Sequence, residues 1–312
     1  MNTGNLKEWL SYLEQLHPSE IDMGLARVQE VAQRLRLPRL AKKIVTVTGT
    51  NGKGSTCALL ASLVAGQGFS VGVYSSPHLL RYNERVRINA QDATDAQLCA
   101  AFTAVEQARA EVSLTYFEMG TLAAFWLFAQ SSLDVVILEV GLGGRLDAVN
   151  IVDADVAVVT SIGIDHKDWL GDTRDSVAYE KAGIFRPNLP AVCGDLDPPE
   201  PLLTRAALLS TPLVLRGRDF DLALSEHVWH WRGLDEQGKP VYLHDIPLLS
   251  LPIENAAVAL QVYALLGLPW HAQKLIESLC QATMQGRLQQ VTLQWQSRTL
   301  HLLLDVAHNP HA

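Results

Sequence analysis

The sequence has few of the features that mark secreted or membrane-spanning proteins. Its 312 residues include only four cysteines, and none of these forms a CxxC pair. This argues against a disulfide framework or a structural zinc site and favours a reducing compartment. No run approaches the roughly 18 uncharged apolar residues that span a bilayer, and the N-terminal residues lack the basic start and apolar core of a signal peptide. We therefore predict a cytoplasmic protein with no membrane contact.

Positive charge is also scarce. The net charge is −8, from 25 Lys and Arg against 33 Asp and Glu, so we predict no nucleic-acid partner held through its phosphate backbone. Anions must then bind at a local site. Hydrophobic residues make up 48% and charged residues 19%, which is enough to build a large core and argues against disorder. The length exceeds one average domain, although it also fits a single large α/β domain.

The first two thirds of the chain alternate between strand and helix patterns. Continuous apolar, β-branched runs predict strands at 44–48, 69–74, 134–139 and 155–160. Apolar residues at helical spacing predict helices at 53–65, 94–111 and 117–130, after two short amphipathic helices in the N-terminal forty residues. Non-alternating strands separated by helices indicate a mainly parallel sheet covered on both faces, in a doubly wound α/β fold.

The pattern changes in the last third. Residues 220–244 form short, Trp-rich, alternating segments that predict a small antiparallel β insertion, and helices resume at 254–266 and 271–283. A strand at 298–306 leads into a turn just before the end of the chain, so we expect most of a C-terminal domain to be missing. We predict a P-loop domain over residues 1–296 and, over 297–312, the opening strand of a truncated Rossmann-like domain.

The strongest local signal is the segment Thr48–Thr56, TGTNGKGST, between a buried strand and a helix. Glycines let successive N–H groups point at one anion, and the helix start adds its dipole. Lys53 supplies a charge for the outer phosphates, and Ser55 or Thr56 is placed to reach Mg²⁺. The usual P-loop has four residues between its first Gly and Gly-Lys, whereas this loop has two. It is a variant phosphate loop.

This variant resembles the ATP loop of the folylpolyglutamate and dihydrofolate synthases of the Mur ligase superfamily. Further blocks agree in order along the chain, namely Tyr74–His78, Leu138–Asp147, Asp165-His166, Glu180–Phe185 and Asp305–Pro310. The resemblance covers nearly the whole chain and is greatest to the bacterial bifunctional form. It implies ATP-dependent ligation of L-glutamate to dihydropteroate and to folates through an acyl phosphate. It also implies a monomer whose partners are small molecules.

The resemblance assigns the nucleotide and metal sites. The residues matched to ATP contacts are Gly49, Thr50, Asn51, Gly52, Lys53, Gly54, Ser55, Asn255, Arg287 and Asp305. Those matched to ligands of two Mg²⁺ ions are Ser76, Glu139 and His166. The residues themselves support Glu139 most, because a carboxylate at the end of a parallel strand is well placed for a phosphate-bound metal. His166 alone would more often be an ordinary loop histidine, since Mg²⁺ prefers oxygen.

Lys181 matches a lysine that carries a carbamate in the family, although from its sequence context alone it is an ordinary helix lysine. We count Lys53, His166 and Lys181 as the catalytic residues. The residues matched to pterin contacts are Asp22, Met23, Gly24, Thr115, Tyr116, Phe117, Glu118, Leu146, Asp147 and Ala148. A flat heterocycle needs an aromatic face with a few polar partners at its edge, and these segments favour the bifunctional enzyme. Phe117 is equally plausible as a core residue.

Two other kinds of protein remain open on the sequence. One is a different P-loop enzyme, such as a kinase or a Mur-type cell-wall ligase. The other is a non-catalytic nucleotide-binding fragment, because most of the family's glutamate-binding groups lie in the C-terminal domain, of which His308 and Asn309 are nearly all that is present.

Overall fold

The computed structural model describes residues 5–287, 289–296 and 298–306. Its centre is an eight-stranded sheet in the order β4-β3-β2-β5-β1-β6-β7-β8. The strands are β1 Ala41–Thr48, β2 Val71–Tyr74, β3 Val86–Ile88, β4 Gln91–Asp92, β5 Leu133–Glu139, β6 Val156–Val159, β7 Ala191–Cys193 and β8 Leu213–Leu215. Six of them run parallel, and β3 and β4 extend one edge as antiparallel pairs.

Ten α-helices lie in the described residues. They are α1 Leu6–Leu13, α2 Ala26–Leu35, α3 Lys53–Gly66, α4 Asp95–Arg109, α5 Tyr116–Ala129, α6 Lys167–Leu170, α7 Arg174–Ala182, α8 Glu200–Leu208, α9 Ile253–Leu265 and α10 Ala272–Gln281. Several begin at a side chain that accepts a backbone N–H: Thr94, Thr115 and Thr173 cap α4, α5 and α7. Such caps satisfy N–H groups that have no partner within the helix.

The sheet is covered on both faces, as the continuous apolar strands predict. Alternate residues of one strand enter opposite cores: Val136 and Leu138 face the core that contains α1, α2, α4 and α5. Val135 and Ile137 of the same strand face the core built with α3, α9 and α10. Because side chains alternate along a strand, a strand that is buried on both sides is mainly apolar on both faces. The predicted α/β class and parallel sheet are confirmed.

The predicted β insertion is confirmed as a three-stranded antiparallel sheet of β9 Asp221–Leu224, β10 Val228–Leu234 and β11 Pro240–Pro247. It packs on α9, where the indole N–H of Trp231 donates to the carbonyl of Ala257 at 3.1 Å. The last predicted strand is also present, as β13 Arg298–Leu304, and it pairs in an antiparallel hairpin with β12 Gln289–Trp295, which the sequence did not indicate. The predicted domain boundary at 296/297 falls between β12 and β13 and stays a prediction.

The short elements of the main sheet were the ones that sequence patterns missed. Strands β3, β4, β7 and β8 have only two or three residues each, too few to show a period. Their pairing depends on neighbouring strands rather than on local propensity. Within the described ranges, no helix is long and apolar enough to cross a membrane.

Candidate active site

Two clefts open at the carboxyl ends of the parallel strands, where crevices form in doubly wound sheets. The first, of about 1010 Å³, lies between the phosphate loop, the segment after β5 and the N-terminal segment 17–24. The second, of about 950 Å³, lies between the phosphate loop, the loop after β6 and the start of α9. The two clefts share Thr50, Asn51, Gly52 and Arg287, so the phosphate loop forms the wall between them.

The phosphate loop requires glycine at two of its positions. A Cβ on Gly49 would lie 1.8 Å from Oγ1 of Thr160. Gly52 has φ +82°, and a Cβ there would lie 2.5 Å from Oδ1 of Asn255. The first glycine therefore allows close approach to the neighbouring strand end, and the second allows the left-handed turn from which α3 starts. No side chain caps α3, so its first N–H groups remain available to an anion.

The loop that follows β6 braces the phosphate loop. The N–H of Thr50 donates to the carbonyl of Ser161 at 2.9 Å, and the N–H of Asn51 donates to the hydroxyl of Ser161 at 3.0 Å. The hydroxyl of Thr160 donates to the carbonyl of Asn51 at 2.6 Å. Thr50 and Gly163 also exchange two hydrogen bonds, each of 2.9 Å. These bonds fix the curvature of the loop before any ligand arrives.

Lys53 is the first residue of α3, and its ammonium group lies at the mouth of the loop. Nζ donates to the carbonyl of Gly49 at 2.9 Å and to that of Thr50 at 3.3 Å. Both acceptors are neutral, so the positive charge is held in place without being cancelled. The arrangement suits an incoming polyphosphate, whose oxygens are stronger acceptors than backbone carbonyls.

Glu139 ends β5 and is only 4% exposed. One of its oxygens accepts the N–H of Ser76 at 3.2 Å. Burial raises the pKa of its carboxyl to about 7, against the opposing field of Lys53 and the Ser76 N–H. A buried carboxylate with so few partners is unstable unless a cation joins it.

Lys181, near the end of α7, is 3% exposed and lines the first cleft. Burial, followed by the field of Lys53, lowers the pKa of its amine to about 7. In the described part of the chain it makes no ion pair, although Asp165 is near enough to favour its charged form. An amine in such a place is partly neutral, and therefore nucleophilic, near neutral pH.

His166 stands at the same cleft with its side chain half exposed, in a left-handed conformation at the start of α6. The neighbouring Asp165 accepts its backbone N–H at 2.8 Å. Over the described residues, no three His, Cys, Asp or Glu side chains form a ready metal cluster. Ser76, Glu139 and His166 line one cleft but do not by themselves complete a coordination shell.

Every residue predicted to contact the pterin lines the first cleft. The loop 141–149 is folded around Asp147, whose carboxylate accepts the N–H groups of Gly141, Leu142 and Val149 at 2.9–3.0 Å. Burial raises the pKa of this carboxyl to about 6, although the three N–H groups oppose the shift. Asp147 therefore holds the loop as well as facing the cleft.

Phe117 is half buried, and its ring lies against Gly141. A Cβ on Gly141 would come 2.8 Å from the ring. The other predicted pterin contacts on α5 are structural as well: Thr115 caps the helix, and Glu118 accepts the N–H of Thr115 at 2.8 Å in a reciprocal capping box. The aromatic residue therefore serves as both a core element and a wall of the cleft.

The predicted nucleotide residues near the end of the chain lie at the second cleft. Asn255, Arg287 and Asp305 all line it, as does Ser55. Arg287 and Asp305 are paired at 3.7 Å. Of the two hydroxyls that the sequence offered for Mg²⁺, Thr56 is fully buried and lines neither cleft. The blocks around His308 and Asn309 lie outside the described residues.

Sequence reasoning missed several residues that organise the site. Arg27 donates to Asp22 at 2.6 Å and to Glu118 at 3.2 Å, and so ties the N-terminal segment to α5. Arg85 lines the first cleft and donates to Nδ1 of His78 at 2.8 Å. No local pattern marks these arginines, because their partners are distant in sequence or belong to loops.

Comparisons with known proteins point to one family. The family model described as the Mur ligase middle domain matches residues 47–192. The chain is 48% identical over 307 residues to the dihydrofolate synthase/folylpolyglutamate synthase of Escherichia coli strain K12, covering 98% of this chain and 70% of the relative. It is 46% identical over 321 residues to the protein of the same name from Haemophilus influenzae, covering 99% and 72%.

Solved structures agree with these relatives. The structure described as E. coli FolC in complex with DHPP and ADP matches with a TM-score of 0.92 and 48% identity, covering 100% of this chain and 73% of the other. A bifunctional folylpolyglutamate synthase/dihydrofolate synthase with Mn, AMPPNP and L-glutamate bound matches with a TM-score of 0.90 and 48% identity, again covering 100% and 73%.

Proposed function

Because the chain belongs to the dihydrofolate synthase/folylpolyglutamate synthase family of ATP-dependent ligases, we propose that its two clefts hold the two halves of one ligation. The second cleft takes the nucleoside of ATP, and the first takes dihydropteroate or a folate. The phosphate loop between them places the γ-phosphate beside the carboxylate that it activates. The observation that supports this proposal most is that the phosphate loop and all five further blocks that resemble the family line these adjoining clefts. The five blocks contribute Ser76, Glu139, His166, Lys181 and Asp305.

The acceptor carboxylate must be activated before it can form an amide, since a carboxylate is a poor electrophile with a poor leaving group. An oxygen of the pteroate or folate carboxylate attacks the γ-phosphorus of ATP, the bond to the β-phosphate oxygen breaks, and ADP leaves. The glutamate amine then attacks the acyl phosphate carbon, loses a proton, and the tetrahedral intermediate expels phosphate to leave the amide. Lys53 and the N–H groups at the start of α3 spread the charge on the transferring phosphoryl group.

The donor set at Glu139 fits a divalent cation. The carboxylate is buried beside the phosphate loop and has one N–H partner from Ser76. Mg²⁺ is commonly held by one or two carboxylates together with substrate phosphates, which agrees with the incomplete protein shell. We assign Ser76, Glu139 and His166 as the ligands of two Mg²⁺ ions, with His166 at the second. Bound there, Mg²⁺ would neutralise the oxygens of the transferring phosphate.

Lys181 is the residue that we propose to carry a carbamate. Its amine is buried and its pKa is lowered to about 7, so a neutral Nζ is available to attack the carbon of CO₂, with loss of one proton. The product is an anion that replaces a cation at a cleft lined by Glu139 and His166. Such an anion suits a cleft that gathers divalent metal, whereas a protonated lysine would repel it.

In the first cleft, we propose that Phe117 provides the flat face for the pterin and that the predicted polar residues contact its edge. These polar residues are held by their own bonds to loop and helix N–H groups, so they are fixed before the ligand binds. Preorganised polar groups around an aromatic wall are typical of heterocycle sites. We further propose that the protein acts as a cytoplasmic monomer on small-molecule substrates, without a nucleic-acid partner.

The function is tested by incubating the chain with ATP, Mg²⁺, L-glutamate and either dihydropteroate or tetrahydrofolate, and following the folate products by mass spectrometry. We expect a protein extended to the length of its relatives, of which this chain covers 70–73%, to add one glutamate to dihydropteroate and release ADP in equal amount, and the 312-residue chain to bind AMPPNP. Calorimetry of AMPPNP and dihydropteroate on the same preparation separates the alternatives. Binding of both ligands without product would support a non-catalytic binding protein, and failure to bind dihydropteroate would refute the acceptor assignment.

A further inference from the structure

The loop 161–166 joins the brace of the phosphate loop to His166, and within it both polar backbone groups of Ile162 are bound by side chains. The N–H of Ile162 donates to Oδ2 of Asp195 at 2.8 Å. The carbonyl of Ile162 accepts from Nε of Arg174 at 3.0 Å. Both polar backbone groups of this residue are therefore satisfied by side chains, and these side chains come from two other elements of the fold.

The two side chains also bind each other. Nη2 of Arg174 lies 3.0 Å from Oδ1 of Asp195, whose side chain is only 13% exposed. Asp195 follows the end of β7 and is brought close by Gly194, where a Cβ would lie 2.6 Å from the carbonyl of Thr160. The result is a closed ring of hydrogen bonds, in which a planar guanidinium spans a carboxylate and a carbonyl.

Arg174 is also the first residue of α7, the helix that carries Lys181 in its last turn. One side chain thus fixes the start of that helix and the loop that carries His166. The same loop holds Thr50 and Asn51 of the phosphate loop through Ser161 and Gly163. The phosphate loop, His166 and Lys181 are therefore placed relative to one another through the Arg174–Asp195 pair.

We propose that Arg174 and Asp195 are positioning residues for the metal–phosphate centre. They act by binding the backbone N–H and carbonyl of Ile162. The inference rests on the proposed metal role of His166. Neither residue contacts the reacting atoms in this scheme. Both side chains also line the second cleft, so a comparison with metal-free nucleotide is needed. Their effect on metal affinity passes through the loop 161–166 to His166.

The structure supplies matched variants. Asp195→Asn retains an oxygen for the Ile162 N–H but places an amide N–H₂ against the guanidinium, so it breaks the pair with no change of volume. Arg174→Gln removes the positive charge and the guanidinium that donates to both Ile162 and Asp195. Asp197→Asn is the control, because Asp197 also meets Arg174, at 3.1 Å, but is 92% exposed and has no side-chain contact with the loop 161–166.

The experiment measures Mn²⁺ affinity at saturating AMPPNP by electron paramagnetic resonance, and metal-free ADP affinity by calorimetry, on the full chain. Residues that orient metal ligands typically change metal affinity by about 10- to 100-fold. We expect a loss of about tenfold in Mn²⁺ affinity for Arg174→Gln and for Asp195→Asn, and a smaller loss of ADP affinity in the same variants. Asp197→Asn should match the parent protein in both measurements.

A double-mutant cycle with His166→Ala separates positioning from a general loss of structure. If Arg174 acts through His166, Arg174→Gln should cause little further loss of Mn²⁺ affinity on the His166→Ala background. A full additional tenfold loss, or a lowered melting temperature with unchanged Mn²⁺ affinity in both pair variants, would overturn the inference. His166→Ala with unchanged Mn²⁺ affinity would instead refute the proposed metal role itself.

Discussion

Replacing Lys53 by alanine removes the charge at the mouth of the phosphate loop while leaving the fold in place. The side chain is half buried and leaves no cavity in either core. Its loss frees the carbonyls of Gly49 and Thr50, which water can then reach. A cation in the first turn of a helix is mildly unfavourable, and alanine is the best helix former. We therefore expect the free energy of unfolding to change by no more than about 1 kcal/mol.

The loss of nucleotide affinity follows from the geometry of Lys53. A unit charge about 4 Å from a phosphate charge contributes about 4 kcal/mol at an effective dielectric of about 20. The ammonium must first give up two carbonyl partners, at 2.9 and 3.3 Å, so the net value falls toward the range of about 1.5–3 kcal/mol for charged hydrogen bonds. This corresponds to a loss of about tenfold to a hundredfold in AMPPNP affinity.

Calorimetric titration with AMPPNP and Mn²⁺ measures this loss directly, and thermal unfolding of the same samples checks the fold. Lys167→Ala is the matched control, because Lys167 follows His166 near the site but lines neither cleft, and it should leave affinity within about twofold. Parent-like AMPPNP affinity in Lys53→Ala would refute the assignment of the loop. Equal losses in both lysine variants would show that long-range charge, rather than contact, governs binding.

Three further changes test other parts of the molecule. Lys181→Ala should abolish ligation without recovery in high bicarbonate, and crystals of the parent grown with CO₂ available should show a modified Nζ; an unmodified Lys181 directed away from the metal would contradict the carbamate. Gly141→Ala places a Cβ 2.8 Å from the ring of Phe117 and should weaken dihydropteroate binding by about tenfold, with AMPPNP affinity retained. Unchanged binding of both ligands would show that Phe117 does not form a wall of the pterin site. Lys42 and the Ser70 N–H and hydroxyl hold the pKa of Asp134 at about 2, below its usual 3.8, so the parent should exceed Asp134→Asn in stability above pH 4 by about 1 kcal/mol, screened by solvent. That difference should shrink as the pH falls through 2, and a pH-independent difference in urea titrations would refute the ionic explanation.

Local sequence was sufficient wherever a segment's structure depends on its own composition. The run from Ile44 to Thr48 is buried on both faces because it is continuously apolar or β-branched, and TGTNGKGST forms a tight loop because its glycines permit it. The resemblance to a family added the residues that local chemistry left ambiguous. Glu139 was recognisable from its place at a strand end, whereas Lys181 looked like any helix lysine.

The positions of these residues relative to one another needed the tertiary structure. A lysine becomes partly neutral only when the fold buries it beside Lys53, and burial is a property of packing rather than of local composition. Short strands such as β7 and β8 form because a parallel neighbour is already in place. The clamp on Ile162 joins residues 12 and 33 positions away. The sequence by itself thus determined the class of fold and the phosphate loop. Tertiary packing decided which charged side chains lie close together and how deeply each is buried.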